Sequence, residues 1–231
     1  MRVKENQRLT DPACDDVVVQ LTLEPEAGET LKPFSPGQFV RLGIPDVSDP
    51  APAYFAIAAT PENAQLYEFF VKCTNGISSY LCDLEPGTQL EVEGPMGKAF
   101  DLTPFKGCDV YLIGVGTGIA PLRSVWGHIT RHREDYGKVA IYAGFLTPLH
   151  HLLTDELDAL AEHDIDVSVT LETAHESWNG PIGYVQDALM ADAPSGKNAV
   201  ACLAGMSAMV DSCTETLHNL GFNDSRILLN F

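Results

Sequence analysis

The chain has 231 residues, 45% of them hydrophobic, which is enough to bury a substantial core in one large domain or two small ones. Its 32 acidic and 14 basic residues give a formal net charge of −18, which disfavours binding to nucleic acid or to anionic membrane surfaces. The longest apolar stretch, residues 110–122, is too short and glycine-rich for a membrane span, and the N-terminus lacks a signal-peptide core, so we expect a cytoplasmic protein.

The six cysteines show neither a Cys-x-x-Cys pair nor the tight spacing of an iron–sulfur cluster. We therefore expect most of them to be reduced and buried, packing as small hydrophobic side chains. His128 and His132 lie four residues apart on a predicted helix, which is a metal-ligand spacing, but no His-Glu-x-x-His pattern accompanies them. The sequence favours a solvated helix face there, and we predict no metal site.

Residues 14–104 contain short runs of β-favouring residues separated by turn residues. These runs span residues 17–23, 37–44, 54–59, 67–73 and 88–93. One short helix, capped by Ser78 or Ser79 and ending near Leu84, interrupts them. Several short strands at close spacing predict an antiparallel β-barrel or sandwich.

The pattern changes after Thr103–Gly107, so we divide the chain into domains 1–104 and 105–231. Predicted strands in the second domain span residues 109–114, 138–143, 165–171, 198–204 and 226–230. Predicted helices span residues 119–133, 153–162, 183–190 and 206–220. Alternation of strands and helices predicts a doubly wound parallel α/β sheet that binds its ligand at the carboxyl ends of its strands.

A glycine-rich turn follows the first strand of this second domain. The apolar run 109–113 leads into Gly114, Gly116 and Gly118, and Pro121 lies in the first turn of the helix that follows. Glycine lets the backbone approach a ligand, and a helix N-terminus offers free N–H groups to a phosphate. Close packing of helix on strand also selects small residues, so the turn by itself leaves both interpretations open.

Residues 116–124, Gly-Thr-Gly-Ile-Ala-Pro-Leu-Arg-Ser, resemble the pyridine-nucleotide motif of the ferredoxin–NADP reductase superfamily. Further parts of that family's pattern follow in the same order, at residues 37–40, 55–58, 94–100, 178–185 and 204–209. The resemblance covers residues 14–231 and is that of a single-chain member without an iron–sulfur cluster. It implies an oxidoreductase with FAD on the barrel and NAD(P)H on the α/β domain, which passes a hydride from nicotinamide to flavin.

The resemblance also implies which residues bind the nicotinamide nucleotide. The motif carries over Gly114, Gly116, Thr117, Gly118 and Pro121, and the later segment carries over Gly205 and Met206. Glu172 follows the third strand, where members that select NADPH have Ser-Arg, so we expect a preference for NADH. A solvated glutamate at a strand end is the competing interpretation.

On the flavin side the sequence departs from the family. Members of the family bind flavin through Arg-x-Tyr-Ser, and this chain has Ala53, Phe55 and Ala56 at the Arg, Tyr and Ser positions. We expect the backbone of Tyr54–Ile57 to contact the flavin, with Phe55 stacking on its ring.

The family also places the flavin diphosphate beside the following strand and short helix. Lys72, Gly76, Ser78 and Ser79 are the corresponding residues of this chain. A lysine at the end of any strand looks the same locally, so both interpretations of Lys72 stay open.

Phe231 corresponds to the aromatic residue that covers the flavin ring in relatives, and it is the residue we place at the site of hydride transfer. The electron acceptor, a protein or a small molecule, is not specified by the sequence, although the acidic composition disfavours an acidic carrier such as a ferredoxin. The alternative is a degenerate relative that senses nucleotides or docks another subunit, with weak or no flavin binding.

Overall fold

The structure is a computed structural model that describes residues 1–63 and 65–230, apart from the side chain of Asn63. The strands are β1 (Arg2–Arg8), β2 (Val18–Glu24), β3 (Phe39–Gly43), β4 (Ala53–Ala56), β5 (Tyr67–Lys72), β6 (Glu91–Met96), β7 (Asp109–Val115), β8 (Val139–Phe145), β9 (Asp166–Leu171), β10 (Ala199–Ala204) and β11 (Ile227–Leu229). The α-helices are α1 (Gly76–Cys82), α2 (Ile119–Arg131), α3 (Thr154–Ala159), α4 (Val185–Asp192) and α5 (Ser207–Asn219). None of these helices is long and apolar enough to cross a membrane.

The first six strands form two three-stranded antiparallel sheets, ordered β1-β2-β5 and β4-β3-β6. Backbone hydrogen bonds join the two sheets, from the Ala58 N–H to the Glu68 carbonyl at 2.7 Å and from the Leu90 N–H to the Met1 carbonyl at 2.9 Å. Side chains that alternate along the strands fill the interior, among them Leu21, Leu42 and Phe69. The antiparallel β-barrel expected from the sequence is confirmed.

Three details of the barrel differ from the sequence-based prediction. Strand β1 was not predicted because six of its seven residues are polar or charged and only Val3 is buried. Strand β6 runs through Gly94 to Met96 and therefore lies three residues later than expected. Helix α1 begins at Gly76, and Ser78 lies inside it, where its hydroxyl donates to the Asn75 carbonyl at 2.8 Å rather than capping the helix.

The last five strands form one parallel sheet, ordered β11-β10-β7-β8-β9. Side chains alternate between its two faces, so Leu112 and Cys202 pack on the face covered by α2 and α3, whereas Tyr111 and Ala201 pack on the face covered by α4 and α5. This is the doubly wound α/β sheet that the sequence predicts. A short 3-10 turn, Thr103–Phe105, precedes it, and the domain boundary after residue 104 stays a prediction.

Arg123 of α2 joins the two parts of the chain through a largely buried ion network. Its guanidinium donates to the Glu68 carboxylate of β5 at 2.6 Å, to the Glu156 carboxylate of α3 at 2.9 Å and to the Ala58 carbonyl at 3.3 Å. Burial acts to lower the pKa of Arg123, but the two carboxylates raise it above its ordinary value, so the guanidinium stays charged.

Replacing Arg123 tests this network. We expect Arg123→Met to lower the free energy of unfolding by about 3 kcal/mol, because removing one partner of a largely buried ion pair leaves the other charges uncompensated. Lys138→Met is the matched control: the pair of Lys138 with Asp166, at 3.2 Å, is exposed, and its loss should cost less than about 1 kcal/mol. Equal losses in urea denaturation would contradict the assigned role of Arg123.

Candidate functional site

The glycine turn after β7 is held by backbone-to-backbone packing. A Cβ atom on Gly118 would lie 2.7 Å from the Ala204 carbonyl oxygen and 2.9 Å from the Gly205 Cα, distances that real Cβ atoms do not reach. A Cβ atom on Gly114 would lie 2.7 Å from a methyl group of Leu122. Packing therefore requires glycine at these two positions. Packing of helix on strand is the interpretation that the sequence left open beside phosphate binding.

Gly116 differs from its neighbours because nothing packs against it. Its φ is +52°, a left-handed conformation that favours glycine, and a Cβ atom there would meet no other atom within 4 Å. The residues 116–118 make a 3-10 turn that continues directly into α2, and Pro121 is buried in the first turn of that helix. The turn therefore combines an open side with the N–H groups at the head of a 13-residue helix.

The turn after β10 lies against this glycine turn. Gly205 and Met206 precede α5, and Met206 is 70% exposed, the most exposed of the large hydrophobic side chains described. Cys202, two residues before Ala204 on the same face of the strand, is fully buried, and burial raises the pKa of its thiol well above the ordinary range. Cys202 therefore packs in the core, as expected for most of the cysteines, whereas Gly205 and Met206 are exposed.

Glu172 directly follows β9 at the carboxyl edge of the sheet, and its backbone N–H donates to the Phe145 carbonyl of β8 at 2.9 Å. Its carboxylate accepts a hydrogen bond from the Tyr184 hydroxyl at 3.4 Å, and the Tyr184 side chain is itself 54% exposed. Tyr184 lies in the segment 178–185 that resembles the family pattern, but it was not predicted as a site residue. It reaches Glu172 because a bridge between Leu171 and Ile182 folds the segment back on β9.

The outer face of sheet β4-β3-β6 carries the predicted flavin segment. Tyr54 is 64% exposed and lies directly opposite Arg41 on β3. Arg41 in turn lies opposite Glu93 of β6 and binds its carboxylate at 2.9 Å. One exposed aromatic ring and one cation therefore share this face, and the cation was not identified from the sequence because it comes from a neighbouring strand.

Phe55 does not occupy the position expected of it. Ala53 and Phe55 pack against the core of the barrel, whereas Tyr54 and Ala56 point away from it. Side chains alternate along a strand, so the ring that is open to a ligand belongs to Tyr54, one residue before the one the family pattern indicates. Ile57, which follows, is fully buried, and its N–H donates to the Gln38 carbonyl at 2.9 Å.

The segment at the end of β5 brings together the other predicted flavin residues. Lys72 is exposed and binds the Asp16 carboxylate at 2.8 Å, which lowers the pKa of Asp16. Gly76 and Ser79 are exposed on the first turn of α1. None of the predicted residues Lys72, Gly76, Ser78 and Ser79 is buried in the barrel core.

Cys73 and Cys82 form a disulfide that spans α1. This corrects the expectation of reduced thiols for two of the six cysteines, whose nine-residue separation gives no recognisable signal in the sequence. The other four, Cys14, Cys108, Cys202 and Cys213, are free and buried, as predicted.

Two contacts set the positions of these surfaces relative to one another. The glycine turn 116–118 lies beside β5 of the barrel, so the head of α2 and the barrel meet at the same edge of the parallel sheet. At the end of the chain, the Asn230 amide donates to the Gly37 carbonyl at 3.2 Å and connects the segment after β11 to the barrel. Phe231, predicted at the site of hydride transfer, lies outside the described residues.

Comparison with known proteins agrees with this arrangement. Residues 112–215 match the family model described as the oxidoreductase NAD-binding domain. The chain is 29% identical over 209 residues to the sulfhydrogenase 1 subunit gamma of Pyrococcus furiosus. This alignment covers 89% of this chain and 70% of that protein. It is 30% identical over 203 residues to NADH-cytochrome b5 reductase 1 of Aspergillus clavatus, covering 83% of this chain and 61% of that protein.

The fold is also that of solved reductases. A ferredoxin NADP+ reductase from Neisseria gonorrhoeae, solved with bound FAD and NADP, superposes with a TM-score of 0.78 at 18% identity, covering 100% of this chain and 98% of that one. Barrel, parallel sheet and NAD-binding match together give this chain the fold of two-domain FAD/NAD-binding reductases. The chain thus has the fold of the ferredoxin–NADP reductase superfamily, for which FAD and NAD(P)H are typical cofactors.

The two kinds of glycine in the turn predict different effects of substitution. We expect Gly118→Ala to lower the free energy of unfolding by about 3 kcal/mol, because the added methyl group meets backbone that cannot move aside. Gly116→Ala should cost about 1 kcal/mol, the strain of a left-handed alanine. Gly28→Ala is the control, since Gly28 also has a positive φ and open surroundings. Urea denaturation measures all three, and a loss for Gly116→Ala as large as that for Gly118→Ala would contradict the distinction.

Proposed function

We propose that this protein is a flavin-dependent oxidoreductase that takes a hydride from NAD(P)H onto FAD bound at the barrel and passes the electrons to a separate acceptor. The observation that carries the proposal is the open turn at Gly116, which lies at the head of α2 beside β5 of the barrel. A dinucleotide bound at this turn therefore lies next to the barrel sheets. Bound FAD supplies the hydride-accepting chemistry, and the residues of the chain supply position and charge.

On the nucleotide side, the N–H groups at Gly116 and Thr117 would hold the diphosphate of NAD(P)H. Gly118 supports this function indirectly, because it lets the turn pack against Gly205. Met206, exposed at the head of α5, offers an apolar surface beside the same turn. Pro121 fixes the first turn of α2.

On the flavin side, Tyr54 offers an exposed aromatic ring. Arg41 offers a cation in place of the family's arginine, whose position is occupied by Ala53 in this chain. The ion pair between Arg41 and Glu93 is exposed, and exposed pairs contribute little, so Arg41 can exchange its carboxylate for a phosphate at small cost. Lys72, whose pair with Asp16 is equally exposed, is a second cation of the same kind. These residues would hold the flavin diphosphate together with the backbone of Gly76, Ser78 and Ser79.

For the donor, the positions of the charges support NADH. Glu172 would repel the 2′-phosphate of NADPH and can accept a hydrogen bond from a free 2′-hydroxyl. Arg131 ends α2, roughly 20 Å along the helix from the glycine turn, given a rise of about 1.5 Å per residue. Arg133 donates to Asp164 at 2.8 Å, at the edge where β9 begins rather than ends.

The acceptor is proposed only as a class, an electron-accepting protein or small molecule. This chain spans 41–61% of the length of the NADH-cytochrome b5 reductases it matches. The large negative charge disfavours an acidic electron carrier. Phe231 is proposed to cover the flavin ring until nicotinamide displaces it. The proposed cellular location of the protein is the cytoplasm.

A second candidate is a nucleotide-sensing or subunit-docking protein without tightly bound flavin. The observation in its favour is the loss of all three side chains of Arg-x-Tyr-Ser, at Ala53, Phe55 and Ala56. One of the relatives is named as a subunit of a sulfhydrogenase. The two candidates differ in whether the purified protein carries flavin that NADH reduces.

Flavin binding gives the first test of the proposed function. The wild-type protein should bind FAD, and its visible absorbance should bleach on addition of NADH. Arg41→Gln should weaken FAD binding about tenfold or more, because a hydrogen bond to a charged group contributes about 1.5–3 kcal/mol. Arg2→Gln, at an exposed ion pair on the other sheet, is the matched control and should bind FAD as the wild type does. A wild-type protein that binds no FAD would favour the second candidate.

Donor preference gives a separate test. Wild-type protein should be reduced by NADH with an efficiency about tenfold above that with NADPH at low salt, which corresponds to about 1.4 kcal/mol of charge repulsion. Glu172→Gln should narrow this ratio, whereas Glu176→Gln, another exposed glutamate in the same loop, should leave it unchanged. Stopped-flow measurement of flavin reduction gives the ratio, and a wild-type preference for NADPH would show that the assignment of Glu172 is wrong.

A further inference from the structure

The end of α2 lies against the turn that follows β4, although the two segments are more than 60 residues apart in the sequence. A Cβ atom on Gly127 would overlap the hydroxyl oxygen of Thr60, so the helix and this turn approach as closely as a glycine allows. The residues Pro61–Asn63 form one 3-10 turn directly after Thr60. This approach brings Glu62 of the barrel to the surface of α2.

Three potential metal ligands meet at this contact. His128 and His132 are one helical turn apart, and their rings lie 4.6 Å from each other. The Glu62 carboxylate contacts Nδ1 of His128 and lies 3.6 Å from Nε2 of His132. One ligand atom from each residue lies within 4.8 Å of the others. The sequence favours a solvated helix face here, since no local pattern shows a carboxylate that comes from a segment 66 residues before His128.

We propose that Glu62, His128 and His132 bind a divalent transition-metal ion of the Zn²⁺ class and connect the barrel to α2. Zinc holds imidazole nitrogens and carboxylate oxygens at about 2.0–2.2 Å in a tetrahedron, so its ligand atoms lie roughly 3.3 Å apart. The three ligand atoms, now within 4.8 Å of one another, would reach this separation through small rotations of their side chains. Water takes the fourth position, because all three side chains are partly exposed.

The surroundings also favour a cation. The chain as a whole carries a net charge of −18. Two histidines and one carboxylate select zinc and similar metals over Mg²⁺ and Ca²⁺, which prefer oxygen ligands. The ion would replace the direct contact between Glu62 and His128. Metal–ligand bonds would then link Glu62 of the barrel to both histidines at the end of α2. This inference does not depend on the proposed redox function.

Calorimetric titration of metal-free protein with Zn²⁺ tests the site. We expect one ion per chain and a rise in the thermal midpoint on addition of Zn²⁺. His132→Ala and Glu62→Gln should each weaken the affinity by about tenfold or more, since even outer-shell partners of metal ligands contribute about that much. His218→Ala is the matched control, because His218 also lies on a helix and pairs with one carboxylate, Asp224, at 2.8 Å. Circular dichroism establishes that each variant is folded.

Cobalt provides the second measurement, since Co²⁺ reports its ligands by absorption. The proposal predicts a spectrum of nitrogen and oxygen ligands in the wild type and in His218→Ala, and its loss in His132→Ala. Thiolate charge-transfer bands would assign the metal to the cysteines and overturn the proposal. So would a wild-type protein that binds no Zn²⁺, or folded His132→Ala and Glu62→Gln variants that bind Zn²⁺ as tightly as the wild type.

Discussion

The ion network around Arg123 is the interaction on which the geometry of the candidate site depends. Its guanidinium binds Glu68 of the barrel and Glu156 of α3, and each carboxylate has a further donor, Gln20 for Glu68 and Trp126 for Glu156. Charges removed from water are tolerated only when they are paired and hydrogen-bonded, so each member of this network depends on its partners. Because Arg123 lies on the helix that begins at the glycine turn, the network fixes that turn relative to the barrel.

Helix α2 therefore performs three structural tasks along its length. Its head forms the open turn, its middle carries Arg123, and Gly127 near its end packs against Thr60 of the barrel. Contacts at several points along one rigid element restrict rotation of the two domains more than any single contact does. The continuous core between them, in which Phe70 and Ala58 of the barrel pack with Trp126 and Leu122 of α2, adds burial of apolar surface.

On the proposed flavin face of the barrel, the residues that could contact a cofactor differ from those of the family motif. Ala53 and Phe55 replace an arginine and a tyrosine of the family pattern and pack toward the core. The exposed ring and the cation on the same sheet come instead from Tyr54 and from Arg41 on the adjacent strand. Charge and aromatic surface are what anionic, planar cofactors require, and neither depends on the strand that supplies them.

The sequence by itself determined the fold class, most strands and helices and the glycine turn, because these depend on local periodicity and on residues close together in the chain. It did not show β1, whose polar residues hide its pairing with β2, or the disulfide between Cys73 and Cys82. Only the tertiary structure decided which aromatic residue faces outward, since alternation on β4 depends on its register with β3. The partners of Arg123, Glu172 and His128 also came from the structure, because folding brings together residues that are distant in the chain, and no local pattern records such contacts.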